Sequence, residues 1–299
     1  MQATPSLKKN KIKVATSERI VHVFIVSFLT IFTLLCLLPF LNVLGSSFAT
    51  SAEISTRTFI LIPRTFTLNA YRYILSTPTI FKSIGVSLYV TILGTFLSMV
   101  VTSFMAYALS RKYLHGRSFF NFLVVFTMLF SGGMIPSFIL VKNLGLIDTL
   151  WALILPSAVS AYNMIIMRNF FQGIPDSLEE SAKMDGCSDW GVFFKIILPL
   201  SLPSIATISL FYAVTYWNTY QNAILYINDS NKWPIQVLLR QIVIVSSGLN
   251  ADAASVDIVP PAQSIKMAVI VVATIPMLIA YPFVQKYFVK GAMVGSVKG

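Results

Sequence analysis

This chain is short of charge. Only 11% of its 299 residues are Asp, Glu, Lys or Arg, against 56% hydrophobic, and the mean hydropathy is +0.77. Soluble domains do not have this composition, so lipid is the expected solvent for most of the chain. Cysteine is scarcer still, with two residues. Cys36 lies in the first apolar run and Cys187 in a polar stretch, on opposite sides of the topology derived below, so no disulfide is expected. No GxxxxGK[ST] loop is present, which excludes a built-in nucleotide motor; "SGG" at 131–133 lies in an apolar run without nucleotide-binding context. A net charge of +11 invites a nucleic-acid reading, but no basic patch is interleaved with aromatics on a polar face. The run "KKNKIK" reads instead as a flank attracted to anionic lipid headgroups.

What is present is long, charge-free sequence. Cutting at every charged residue leaves six intervals of at least nineteen residues: 20–52, 83–110, 118–141, 149–167, 196–228 and 267–285. A helix rising about 1.5 Å per residue crosses a hydrocarbon core of about 30 Å in roughly 20 residues. Six transmembrane helices are therefore expected, in an all-α membrane protein. The first apolar run, from Ile20, continues for about twenty-five residues, beyond the roughly 7–15 of a signal peptide's apolar region, and reads as an uncleaved helix. With the N-terminus inside, fourteen of the 22 Lys and Arg fall in inner segments, including Arg111, Lys112, Arg117, Arg168, Lys183 and Lys195. Both termini are then cytoplasmic. The chain divides into a basic cytoplasmic segment (1–19), a six-helix domain (20–286) and a cytoplasmic tail (287–299).

Several spans carry irregular features. Pro63 and Pro78 interrupt the segment after the first span, where Tyr71, Tyr73 and Phe81 suit a membrane interface. "FSGGMIP" weakens the third span, and such a break is tolerated only where protein or a cavity covers the freed backbone groups.

The few acids cluster. Asp176, Glu179, Glu180, Asp185 and Asp189 fall within fourteen consecutive positions of a chain with only 11 Asp and Glu, in the loop 169–199 on the inner side. Asp176 and Glu179 have capping-box spacing after Pro175, which predicts a helix ending near Gly186. A second helix is predicted to start at Ser188 or Asp189 and to stop at Pro199. By itself this pattern also fits a solvated amphipathic connector.

The spacing adds more. Glu180-Ser181-Ala182, then Gly186, then Ile197-x-Pro199 resembles the EAA loop of ABC importer permeases, and Asp185 before the glycine resembles the carbohydrate branch. "AYALSR", "LGLIDTLWALILP", "FFQGIPDSLEESAKMDG", "YWNTYQNAILY" and "YFVKGAMVGSVKG" are similar to maltose-type sugar permeases, whereas "KSIGVSL" departs from the family's pattern before the second span. "FSGGMIP" and "NMIIMRNFF" resemble the subgroup that imports larger or acidic oligosaccharides.

The resemblance implies a type I ABC importer permease fold in the cell membrane. The loop would be a coupling helix docking on a separate ATPase, with Glu179, Glu180, Ser181, Ala182, Asp185, Gly186 and Pro199 as coupling residues. The implied partners are a second homologous permease, forming a heterodimer, two ATPase subunits, an extracytoplasmic solute-binding protein, an oligosaccharide and the bilayer, with no nucleic acid. The chain would not itself be an enzyme or bind a cofactor or metal; ATP and Mg would belong to the ATPase. The tail is implied to touch the ATPase, or else to be a glycine-loosened end.

For the passage of solute, the spans hold no Asp, Glu, Lys or Arg, whereas ion-driven carriers normally keep an intramembrane ionisable group. On the fifth span Tyr212, Tyr216 and Tyr220 follow at i, i+4 and i+8, with Thr215, Asn218 and Asn222 alongside. This polar face is expected either to line the sugar's pathway or to hydrogen-bond neighbouring helices. Asn121, Ser160 and Asn163 are lesser candidates, and Trp217 suits an interfacial anchor. Alternatives are an amino-acid or peptide importer, a self-sufficient carrier, and a non-transporting scaffold.

Overall fold

A computed structural model describes residues 16–246 and 263–296, all helix, turn or loop. The basic segment before Thr16 and the last three residues of the tail lie outside the described residues, as do the side chains of 16–17, 245–246, 283–284 and 286–296.

Helix α1 (Thr16–Ser47) is apolar on every side and exposed along most of its length, leaning on the last helix, α10 (Gln263–Ser296). α10 continues through the glycines that read as a loosened tail. Helix α2 (Pro78–Ser110) is the centre of the molecule. Pro78 does not break structure here but opens this helix, where its missing N–H is no loss. Ser83, Ser87, Gly94, Ser98, Thr102, Ala106 and Ser110 form a buried stripe of small residues down one face of α2. Small residues let backbones approach, and α8 (Leu202–Trp217) packs along this stripe. A side chain at Gly94 would collide with the ring of Tyr216. Tyr71, expected at an interface, is half-buried, its hydroxyl 2.7 Å from Ser47 Oγ.

The six charge-free intervals do not become six straight rods. The described residues hold three continuous helices of spanning length, Glu18–Ser47, Pro78–Ser110 and Gln263–Pro282. The third interval forms α3 (Arg117–Leu129) and α4 (Met134–Asn143), bent by 114° at the expected Gly132-Gly133 break, where Gly133 takes φ 88°. The fourth, 149–167, is broken by Pro156: a turn of helix, Trp151–Ile154, and a 3₁₀ turn, Leu155–Ser157, precede α5 (Ala161–Gln172), which Ser160 caps. The fifth ends at Trp217, and the chain re-forms a short helix only at Gln221–Tyr226.

Among the described residues, three helices were not expected: the short Ser51–Thr56 and Asn69–Ser76, and a longer one after the fifth interval. α9 (Ile235–Ser246) buries Ile235, Leu238 and Ile242 on one face against α2 and α10. Arg240, which interrupts its apolar run, stays off that face and lies 5.1 Å above the ring of Tyr220. The main core lies where α2, α5 and α8 meet, around Val90, Met164, Phe171, Ile208 and Tyr216.

Two carboxylates outside the long helices, Glu53 in the short helix Ser51–Thr56 and Asp148 in a loop, are bound by backbone amides. Glu53 accepts from Arg64 (3.0 Å) and Thr65 (3.4 Å) and pairs with Arg57. Asp148, in the left-handed region at φ 61°, accepts from the amides of Asn228 (3.1 Å) and Asp229 (3.0 Å) and pairs with Lys232. The Asp229 amide, then Lys232 and the Asn228 amide, hold the Asp148 carboxyl below its ordinary pKa. The loop before α5 is thereby fixed to the loop before α9.

Candidate functional site

The acidic segment folds as helix, glycine turn, helix. α6 (Asp176–Met184) follows Pro175, and Gly186, at φ 81°, makes the turn that a side chain would strain. The capping box does not form, because both of its acids are engaged elsewhere. Asp176 pairs with Lys112 across an exposed 3.0 Å contact, and Glu179 turns inward to Arg111. Ser188, of the two caps anticipated, receives the Gly191 amide (3.3 Å) and starts α7 (Asp189–Leu200). Pro199 does not stop α7. The chain turns by 81° between α7 and α8, at Ser201.

The predicted coupling residues therefore divide into two sets. Glu180, Ser181 and Asp185 are exposed, and Met184 is 88% exposed. Ala182 faces the core beside Cys187. Glu179 is buried at 7% exposure, so it belongs to the interior and not to the outer face. Burial pushes its carboxyl pKa up, with Arg111 pulling the other way. Lys183 pairs with Asp189 at 2.8 Å, the hydrogen bond raising the lysine pKa. Among the described residues Glu180 and Asp185 have no ion pair.

The tyrosine face of the fifth span is not one continuous lining. Tyr212 and Tyr216 are buried ties between helices: Tyr212 Oη lies 2.7 Å from Thr102 Oγ1, and Tyr216 Oη lies 2.9 Å from Ser98 Oγ and donates to the Ile154 carbonyl at 3.1 Å. Tyr220 falls beyond the helix end. Asn218 caps that end and donates to the Val214 carbonyl, while Asn222 sits in the following short helix. Trp217 is no surface anchor, being buried with its Nε1 donating to the Ala273 carbonyl at 3.0 Å. Asn121 accepts from Arg168, which gives it the packing role.

A cavity with a mainly apolar lining and a few polar groups opens nonetheless. It has a volume of about 990 Å³ and lies between α5, α8 and α10. Ser157, Ser160, Asn163, Tyr212 and Thr215 contribute its polar wall, and Tyr281 and Gln285 join from α10. Tyr212 is shared between cavity and core, its hydroxyl accepting the Ser160 amide at 3.0 Å. Tyr281 and Gln285 could not be assigned from sequence, since they come from a distant helix and carry no motif.

Spanning-length apolar helices, an exposed acidic turn and a cavity that carries a few hydroxyl and amide groups define a class of membrane protein. Residues 99–294 match the model of the binding-protein-dependent transport system inner membrane component, and the chain belongs to that family. It is thus a membrane transport subunit, not an enzyme. It is 65% identical over 284 residues, 94% of this chain and 99% of the relative, to the polygalacturonan/rhamnogalacturonan transport system permease protein YtcP of Bacillus subtilis (strain 168). Protein LplC of the same organism is 55% identical, covering 88% of this chain and 90% of LplC. A chain from the crystal structure of a bacterial ABC transporter involved in the import of the acidic polysaccharide alginate matches with TM-score 0.84 and 33% identity, over 93% of this chain and all of that one.

Proposed function

We propose that this chain is the permease subunit of an ABC importer for oligosaccharides of acidic, uronate-containing polysaccharides, driven by a separate ATPase that docks on the exposed face of α6. The division of the two neighbouring carboxylates carries this reading: Glu179 is buried in the chain while Glu180, beside Ser181 and Met184, is left outward and unpaired among the described residues. Such a face suits a basic, methionine-accepting cleft in the ATPase, with Gly186 allowing the second helix to turn back. The likeness to a polygalacturonan/rhamnogalacturonan permease and to an alginate importer supports the acidic sugar class.

In this reading the chain crosses the membrane six times, with both termini and α6 in the cytoplasm. It pairs with a second permease and receives its sugar from an extracytoplasmic binding protein. ATP and Mg are held by the ATPase, and this chain binds no cofactor. The sugar passes by the hydroxyl and amide groups of the cavity, where Tyr212 and the exposed Thr215 are the two of the expected pathway residues that lie on its wall.

The test is ATPase stimulation of the purified complex by its binding protein across neutral and uronate oligosaccharides. Uronate oligomers should stimulate and neutral ones of equal length should not. Preference for neutral sugars would refute the substrate class.

A further inference from the structure

We propose that the buried Arg111–Glu179 ion pair is the joint through which α6 moves α2, making both positioning residues for transport. This rests on α6 being the ATPase's docking helix and specifies what that helix pulls on.

Arg111 ends α2, its own N–H closing on the Ala108 carbonyl. Its side chain is 6% exposed and that of Glu179 9%, so their contact is shielded from water and salt. The guanidinium lies 4.8 Å above the Tyr107 ring, and its second terminal nitrogen reaches the Phe171 carbonyl at 3.5 Å, so it is held on three sides. The neighbouring Lys112–Asp176 contact is different in kind: side chains 81% and 60% exposed make a pair that solvent screens. One firm attachment and one loose one join α6 to the end of α2.

A packed apolar contact resists compression but parts easily under tension. A buried ion pair resists separation as well, because parting it leaves two uncompensated charges in a dry site. Alternating access needs strokes in both directions, which favours a tie of this kind at the joint. As a stabilising device alone, the pair has little to recommend it over apolar residues of similar volume.

The motion has somewhere to go. Nine residues before Arg111 on the same helix, Thr102 meets the Tyr212 hydroxyl at 2.7 Å, and that hydroxyl holds the Ser160 amide at 3.0 Å on the cavity wall. Four residues further, Ser98 holds Tyr216 at 2.9 Å. A shift of α2 is thus transmitted to α8 and to the cap of α5 by hydrogen bonds.

The test uses the full complex in proteoliposomes with its binding protein and an oligogalacturonate, reading uptake, ATP hydrolysis and ATPase-subunit attachment together. For Arg111→Glu and Glu179→Arg, attachment and hydrolysis should persist while sugar imported per ATP falls about tenfold, the scale on which residues of a coupling network act. The double variant R111E/E179R should recover most of the loss. The near-isosteric Glu179→Gln, which preserves shape, should show the same uncoupling in milder form. Unchanged sugar per ATP in Glu179→Gln and both reversals would overturn the proposal, as would a double variant no better than the singles. Loss of attachment in Glu179→Gln would also overturn it by making Glu179 a docking residue. The docking reading fails separately, if Glu180→Lys leaves attachment intact.

Discussion

Glu180→Lys is expected to abolish ATP-driven uptake while leaving the chain inserted and folded. Glu180 is exposed and without an ion pair among the described residues, so its reversal disturbs no contact that holds α6 in place. At a docked interface the same change sets like charge against a basic cleft, and loss of a central charged contact weakens binding by about a hundredfold or more. Gly186→Pro should have the same outcome by a different route. Proline fixes φ near −65°, whereas Gly186 sits at 81° and donates its N–H to the Lys183 carbonyl at 3.0 Å. The turn must rearrange, which misdirects α7 relative to α6 and removes the face as a unit. Copurification of the ATPase subunits and uptake by membrane vesicles check both variants; wild-type values in the two together would remove α6 from the mechanism.

Thr215→Trp should block passage without uncoupling the ATPase. Thr215 is exposed to the cavity, and among the described residues its hydroxyl bonds back to the Phe211 carbonyl at 2.8 Å, within its own helix. An indole there narrows the space beside Ser160 and Asn163. Uptake should fall by about an order of magnitude, equivalent to roughly 1.4 kcal/mol on a rate-limiting passage. ATPase attachment should be unchanged. Thr215→Ser, which keeps the hydroxyl and adds no bulk, should transport normally. If Thr215→Trp transports as well as the parent, the cavity is not the pathway.

The parts of the fold that follow from local chemistry were legible in the sequence. Charge-free runs gave α1, α2 and α10, the Gly132-Gly133 pair gave the α3–α4 break, and Gly186 gave the turn after α6. What escaped was set by tertiary contact. Asp176 and Glu179 have the spacing of a cap but meet Lys112 and Arg111, sixty-odd residues away in sequence, and two cations outcompete the helix's own amides. Tyr212 and Tyr216 have the spacing of a lining face, but the small stripe of α2 draws their rings inward to meet Ser98 and Thr102. The fourth interval is long enough to span as one helix, yet Pro156 and the cap at Ser160 divide it. In the site, the acidic segment was readable as a unit with Glu180 heading its EAA-like triplet, but the burial of Glu179 against Arg111 was not.

The most direct measurement places a single cysteine at Met184, the most exposed hydrophobic side chain of α6, in a background with Cys36 and Cys187 replaced by serine. Treated in the assembled complex with a reagent that carries a thiol-reactive maleimide at one end and a photoactivated diazirine, which inserts into any nearby C–H or N–H bond, at the other, Met184→Cys should form a covalent adduct with the ATPase subunit and resist membrane-impermeant maleimide added outside intact cells. Labelling from outside, with no adduct to the ATPase, would contradict the account.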